Sequence, residues 1–399
     1  MANDLNFTQI STMLNDIHKQ VTGNQNAVAP IDTSQFVNVA TTTLMQGYDV
    51  VLNAISQMIG RTIFSVRPYS RKFKSLERTH QEYGNHVRKL QALDLEWEDD
   101  QQWTLQDGES VDMYKVRKPK VLQTNFYGSV VRQRHYTIFR KQLNNAFSGP
   151  GEFSRFMQMV TQNNSDVIEQ SHENLARYTV ANLMGGIIDS ASTNQVIHLI
   201  TEYNADKSPT TPWTLQTLKQ SRDAWVDFNQ WAFARMQTIS EMLTERTYLF
   251  HLNLEDAQKK PINIPRHTPY REQRAYFNSG WLNQIAYTVR TNILQERFMR
   301  LLDHERVSFW QNITDPMSIN VKPSYTGKQG QVVVAADAVE EGNIFGILYD
   351  REAMGMTTVD QYVSTTPFNS AGGYWNVFFH YTDKWYNDST ENSVLFLLD

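Results

Sequence analysis

The sequence predicts an α+β fold in which one long helix and one long charged hairpin are set among mixed helices and strands. Three observations carry that prediction. Phe153, Phe156, Met157, Val160, Val167, Ile168, Leu175, Tyr178 and Leu183 recur at near-helical spacing over roughly 30 residues. A charge-dense extended stretch turns over at Asp107-Gly108, a dipeptide that closes hairpins. The chain closes with apolar and aromatic runs of strand length, from Val332-Val333-Val334 to Val394-Leu395-Phe396-Leu397-Leu398.

Each element follows in chain order. Ile10, Leu14, Ile17 and Val21 mark a short amphipathic helix, with Thr8 or Ser11 placed to cap it. Residues 22–34 carry Gly23, Pro30 and several Asn and Gln, and read as an extended linker. Two readings stand for this start: an arm that docks on something else, or a helix packed on its own domain. Residues 33–59 read as one helix, with Phe36, Leu44, Tyr48, Val51, Leu52, Ile55 and Ile59 on a broad face and Gly47 as its weak point. Residues 62–66 read as extended, ending at Pro68.

The charge then alternates in blocks. Arg67, Arg71, Lys72, Lys74, Arg78, Arg88 and Lys89 are offset only by Glu77 and Glu82. Asp94, Glu96, Glu98, Asp99 and Asp100 follow, interleaved with Leu95, Trp97 and Trp103. Beyond Asp107-Gly108 the sign reverses again with Lys115, Arg117, Lys118 and Lys120. Residues 84–135 therefore read as a long hairpin excursion. A two-stranded hairpin is marginal alone in water, and one this polar supplies little core. It gains its stability from a neighbouring subunit, or it lies on its own domain with solvated charges. On the first reading Glu96, Glu98, Asp99, Asp100, Lys115, Arg117, Lys118 and Lys120 are the candidate interface residues.

Ser148-Gly149-Pro150-Gly151 breaks the chain and opens the long helix, with Glu152 in its first turn. Gly185-Gly186 reads as its end. Residues 201–330 have a different texture and read as a mixed α/β domain. It holds a helix with Trp225, Phe228, Phe233, Met236, Ile239 and Leu243, a strand over 248–254, a coil punctuated by Pro261, Pro265 and Pro269, and a helix or strand pair at Trp281, Ile285, Val289, Ile293 and Leu294. Closing strands are expected at 331–334, 343–350 and 374–381. A turn at 383–388 and a last strand over 391–398 follow.

The search for chemistry excludes more than it finds. The 399 residues contain no cysteine, which removes disulfides, thiolate metal sites and cysteine nucleophiles together. No His-Glu-x-x-His, phosphate-cradling glycine loop, dinucleotide fingerprint or Gly-x-Ser-x-Gly elbow is present. His304-Glu305 and His380-x-x-Asp383 are the nearest approaches to metal-ligand spacing, and neither makes a set. No catalytic residue, cofactor or metal is expected. A net charge of −5 argues against a dedicated nucleic-acid binder. The start MANDLNFTQI lacks a basic, then apolar, leader, and no apolar run is long enough to span a membrane. Nine Trp, eighteen Tyr and twenty Phe fill cores first, and the surplus leans towards assembly, with carbohydrate stacking as the competing use.

The order of helix, hairpin, long helix, mixed domain and closing strands resembles the Hong Kong 97-like fold of tailed-phage major capsid proteins. The closing segment resembles such proteins more closely, in Ile344-Phe345-Gly346-Ile347-Leu348-Tyr349-Asp350-Arg351-Glu352-Ala353-Met354-Gly355, in Thr366-Pro367-Phe368-Asn369 with Gly372-Gly373-Tyr374-Trp375-Asn376, and in Tyr386-Asn387-Asp388 with Glu391-Asn392. The resemblance implies an N-terminal arm over 1–35 and a hairpin E-loop over 84–135. It implies a peripheral (P) domain from 36–83, 136–200 and 331–399, with a spine helix at about 152–185, and an axial (A) domain over 201–330. It implies hexamers and pentamers in an icosahedral shell around double-stranded DNA, held by non-specific contact. It further implies scaffolding, portal and decoration partners, no cofactor and no membrane, and residence in the virion after assembly in the host bacterial cytoplasm. A tail-tube or connector protein, and a carbohydrate-active hydrolase, are the competing readings.

Overall fold

A computed structural model describes residues 6–61, 72–78, 87–92, 104–114, 116, 118, 121–126, 128–190, 194–256, 258–262, 264–288 and 304–399. In chain order the first elements are α1 (Phe7–Thr22), α2 (Thr33–Met45), α3 (Tyr48–Arg61), β1 (Val87–Ala92), β2 (Val121–Phe126), β3 (Ser129–Phe139), α4 (Arg140–Ala146) and α5 (Pro150–Asp189). Next come β4 (Val196–His198), α6 (Leu199–Lys207), α7 (Leu215–Gln220), α8 (Arg222–Met242), β5 (Leu254–Glu255), β6 (Pro261–Ile262), β7 (Gln273–Asn278) and α9 (Ser279–Thr288). The last are β8 (His304–Val307), β9 (Ile319–Val321), β10 (Ser324–Thr326), β11 (Val332–Val334), β12 (Val339–Glu341), β13 (Ile344–Asp350), β14 (Met354–Thr365), β15 (Tyr374–Asn387) and β16 (Ser393–Leu397). They fall into two compact units.

The first unit comprises Met1–Tyr83, Ser129–Ala176 and Met356–Lys384. Its sheet runs β14-β15-β3, with β15 antiparallel to β3 from Tyr374↔Phe139 to Lys384↔Ser129. Alternation along β15 sends Trp375, Val377, Phe379 and Tyr381 inward, where they meet Phe153, Phe156 and Met157 of α5 and the apolar faces of α1, α2 and α3. Ile10, Leu14 and Ile17 of α1 are buried in this core, so the first helix packs on its own unit. Its N-cap is Asn6, whose backbone N–H donates to Gln9 Oε1 at 3.0 Å, in place of Thr8 or Ser11. The single helix expected over 33–59 is two, α2 and α3. Gly47 takes φ 115° between them, a conformation residues with a β-carbon rarely adopt.

The second unit comprises Gly84–Gly128, Arg177–Gly355 and Trp385–Asp399. Its five-stranded sheet runs β4-β16-β13-β7-β8. Every residue of β13 and β16 is buried, as their unbroken apolar runs require. Trp225, Phe228, Ala232, Met236 and Ile239 of α8 join Phe277, Trp281, Phe345 and Phe396 in one core. Trp281 meets Phe345 edge-on at 3.9 Å, and Phe345 stacks on Phe277 at 4.8 Å.

Three expectations are corrected here. The long helix does not stop at Gly185-Gly186 but runs to Asp189. A β-carbon on Gly185 would lie 2.7 Å from Val321 Cγ1, and one on Gly186 3.1 Å from Tyr325 Cβ, so these glycines admit a close neighbour instead of ending the helix. The strand expected over 248–254 is mostly loop. Its backbone pairs singly with the closing turn, Leu252 N donating to Ser389 O at 2.8 Å and Phe250 O accepting from Ser393 N at 2.9 Å. The turn expected over 383–388 is the continuation of β15. Asp383 and Lys384 are buried polar residues within the strand, and the turn comes afterwards. Of the helix or strand pair at 281–294, residues to Thr288 belong to α9, and 289–294 lie outside the described residues, as do 62–66.

Candidate functional site: the hairpin and its root

β1 and β2 form an antiparallel stem of six residue pairs, from Val87↔Phe126 to Ala92↔Val121. The period of two places Lys89 and Gln91 on the half-buried face and Arg88 and Leu90 on the exposed one. Beyond the stem, every described residue from 104 to 118 is exposed. Among them Met113 is 81% exposed, Tyr114 79% and Val116 80%. Large apolar side chains this open have no cover among the described residues.

Of the eight candidate interface residues, Lys118 is described and is exposed. Glu96, Glu98, Asp99, Asp100, Lys115, Arg117 and Lys120 lie outside the described residues.

The root of the hairpin carries charges that no local pattern marked. Lys89 Nζ lies 2.7 Å from Asp388 Oδ2, contacts Glu391 Oε1 more closely still, and stands 3.6 Å from Glu352 Oε2. Arg266 Nη1 approaches Glu391 Oε1 at 3.2 Å. The same guanidinium donates to Gln91 Oε1 at 2.7 Å and to Thr390 O at 2.9 Å. Thr390 in turn donates its backbone N–H to Asp388 Oδ1 at 2.9 Å and its hydroxyl at 2.6 Å. Four of these side chains are nearly dry, Asp388 at 1% exposed, Glu391 8%, Arg266 13% and Lys89 16%, while Glu352 at 69% forms the wet edge of the cluster. It joins three segments remote in sequence: β1, the loop holding Arg266, and the turn at residues 388–392, which is buried along its whole length.

The electrostatics follow from that burial. Burial works against the Lys89 ammonium, but the combined attraction of Asp388 and Glu391 outweighs it and raises its pKa. Burial raises the Glu391 carboxyl against the pull of Lys89 and Arg266, and raises Asp350 beside it. Burial lowers His251, and nearby Arg266 adds to the effect. A cleft of about 570 Å³ opens next to the cluster, lined by Arg246, Ile264, Pro265, Arg266, His267, Pro269, Glu272, Asp350, Glu352 and Glu391.

The other strand of the hairpin is fixed by rings. Phe126 packs on Tyr386 at 5.2 Å. Trp385 N donates to Gly128 O at 3.2 Å, and Trp385 meets Tyr178 edge-on at 5.3 Å. A β-carbon on Gly128 would lie 2.5 Å from Trp385 O, so only glycine fits where the hairpin returns.

Neither histidine pair that approached metal spacing is part of a ligand set among the described residues. His380 stacks on Tyr362 at 4.4 Å, while Asp383 accepts from Thr358 at 3.0 Å and faces His172 at 3.3 Å. His304 lies against the Phe277 ring. Among the described residues no group of three potential ligands converges, and no helix is long and apolar enough to cross a membrane.

Comparison with known proteins gives the family and the fold. The family model for the Phi29-like phage major capsid protein matches residues 10–242, more than half of the chain. No curated protein matches the sequence. Among solved structures, the capsid of Staphylococcus phage Andhra aligns with a TM-score of 0.53 at 10% identity, over 83% of this chain and 84% of that one. A chain from the structure of the head fiber and inner core protein gp22 of native bacteriophage P68 aligns with a TM-score of 0.50 at 9% identity, over 85% and 87%. At such identities the likeness is one of fold, and it is the Hong Kong 97-like α+β fold that the sequence resembles.

Proposed function

This chain belongs to the Phi29-like phage major capsid protein family, and we propose that its hairpin is the part that reaches onto a neighbouring copy in the shell. The protein is the major capsid protein of a tailed phage, a structural component of the virion that assembles into shell oligomers. The reading of the hairpin rests on one observation: residues 104–118, where described, are exposed and carry Leu105, Val111, Met113, Tyr114 and Val116 without cover.

Within that reading the copies form hexamers and pentamers of an icosahedral shell around double-stranded DNA. Assembly takes place in the host cytoplasm, with scaffolding, portal and decoration proteins as partners. The hairpin is the E-loop, residues 201–330 the axial domain, and the segments around the spine helix the peripheral domain. Glu96, Glu98, Asp99, Asp100, Lys115, Arg117, Lys118 and Lys120 act as its docking charges. Single exposed pairs contribute only ~0–1 kcal/mol, but repetition over a closed shell sets register while each contact stays reversible.

The test is the triple substitution of Glu98, Asp99 and Asp100 by Lys, expressed with the wild type and examined by negative-stain microscopy and circular dichroism. The expected result is a folded subunit that forms no closed shells. Normal shells from the variant refute the reading.

A further inference from the structure

A hairpin that docks on neighbouring copies meets the same place on each only if its root directs it consistently. The stem ends at the pair Ala92↔Val121 and carries 28 residues beyond it, so an angular error at the root is passed on to everything that segment presents. We infer that Lys89, Asp388, Glu391 and Arg266 are the positioning residues that set the hairpin's exit angle for assembly. This rests on the proposed reach of the hairpin onto a neighbouring copy.

The geometry supports the assignment in three ways. The contacts are charge-assisted and directional, fixing angle as well as distance. The two cations work from opposite sides. Lys89 reaches from the hairpin into the turn at 388–392, and Arg266 reaches from the body to both the hairpin and that turn. The second strand is held independently, by Phe126 on Tyr386 and Gly128 on Trp385, so rotation about the strand axis is opposed at two points. A buried ion cluster is a poor stabiliser compared with apolar groups of the same volume. Its use here is therefore read as directional.

The experiment pairs Lys89→Met with Asp388→Asn, which removes one charge of each sign and leaves no uncompensated buried ion at that contact. Hydrogen exchange is measured on the unassembled subunit, and shells are imaged separately. The expected result is a denaturation midpoint close to wild type, exchange at least tenfold faster at the stem amides of 87–92 and 121–126, and loss of regular shells. Lys89→Arg, which keeps the charge and can serve two carboxylates, is expected to restore both readouts in large part. Unchanged stem exchange, or regular shells from the double variant, overturns the inference. If those shells are regular while the Glu98, Asp99 and Asp100 reversal still blocks assembly, the positioning role falls and the hairpin's reach stands. If the reversal itself assembles normally, the reach falls first.

Discussion

Replacing Lys89 alone by Met measures what the root cluster contributes. The substitution keeps the stem's length and apolar volume but withdraws the only ion contact seen for Asp388 among the described residues. Breaking a buried ion pair from one side costs about 3–5 kcal/mol, because the remaining charge stays in the dry interior. Two features place this site at the lower end. Lys89 is 16% exposed, so some water reaches the pair. Asp388 also keeps two hydrogen bonds from Thr390, and Glu391 keeps Arg266. The expected loss is therefore about 3 kcal/mol. With a urea dependence of roughly 2–3 kcal/mol per molar, the midpoint falls by about 1 M or slightly more. Urea unfolding followed by far-UV circular dichroism measures it. The Asp388→Asn single and double variants complete a cycle in which the double variant stays near the wild-type midpoint, so the expected coupling is at least about 3 kcal/mol. A loss under ~1 kcal/mol, the value of an exposed pair, refutes the claim that this cluster is held dry.

Two further perturbations follow from the same structure. Glu391→Gln removes a carboxylate whose folded pKa is raised above 4.5, so the native state binds the proton more readily than the unfolded chain. That group's contribution is fully present in acid and is lost as the pH rises above 4.5 through the folded value. The Gln variant is expected to lose this part of the pH dependence, and urea midpoints at a series of pH values from 4 to about 7 check the slope. Gly185→Ala gains about 1 kcal/mol of helix propensity but presses a methyl group to 2.7 Å from Val321 Cγ1, at an overpacking cost of about 1–3 kcal/mol. It is expected to destabilise by about 1 kcal/mol in the wild type and to turn neutral or stabilising with Val321→Ala. Additive effects in that pair sink the packing argument.

Elements with strong local periodicity were legible in the sequence. Helix α1, the long run of α5, the aromatic face of α8 and strands β13 and β16 all follow from spacing, because one buried face dictates which residues are apolar. The errors share a physical cause. Gly185 and Gly186 look like a helix end because conformational freedom and the space for a close neighbour demand the same residue. Asp383 and Lys384 look like a turn because their burial is tertiary. The root cluster was illegible for a stronger version of that reason. Lys89 sat in a basic run and Glu391 at the start of the expected last strand, about 300 residues away, and nothing local couples them. The one available signal was period two in β1, which puts Lys89 and Gln91 on the same face and asks what a half-buried lysine meets there.

Root and tip of the hairpin obey different electrostatics, and that difference fits their proposed roles. Asp107, Glu109, Asp112 and Lys118, the described charges of the outer segment, are all exposed, and exposed charges are screened over about 8–10 Å at physiological salt. Contacts made by such groups form and release readily, as a shell that corrects misplaced subunits needs. The root cluster is nearly dry, so salt screens it far less, and its hydrogen bonds fix direction as well as distance. A hairpin stiff at the tip and loose at the root would carry an angular error to every neighbour. One anchored at the root confines adjustment to the outer contacts, where each correction involves only weak, reversible pairs. Within the proposed reading, the dry charges set where the hairpin points and the wet ones hold it to its neighbour.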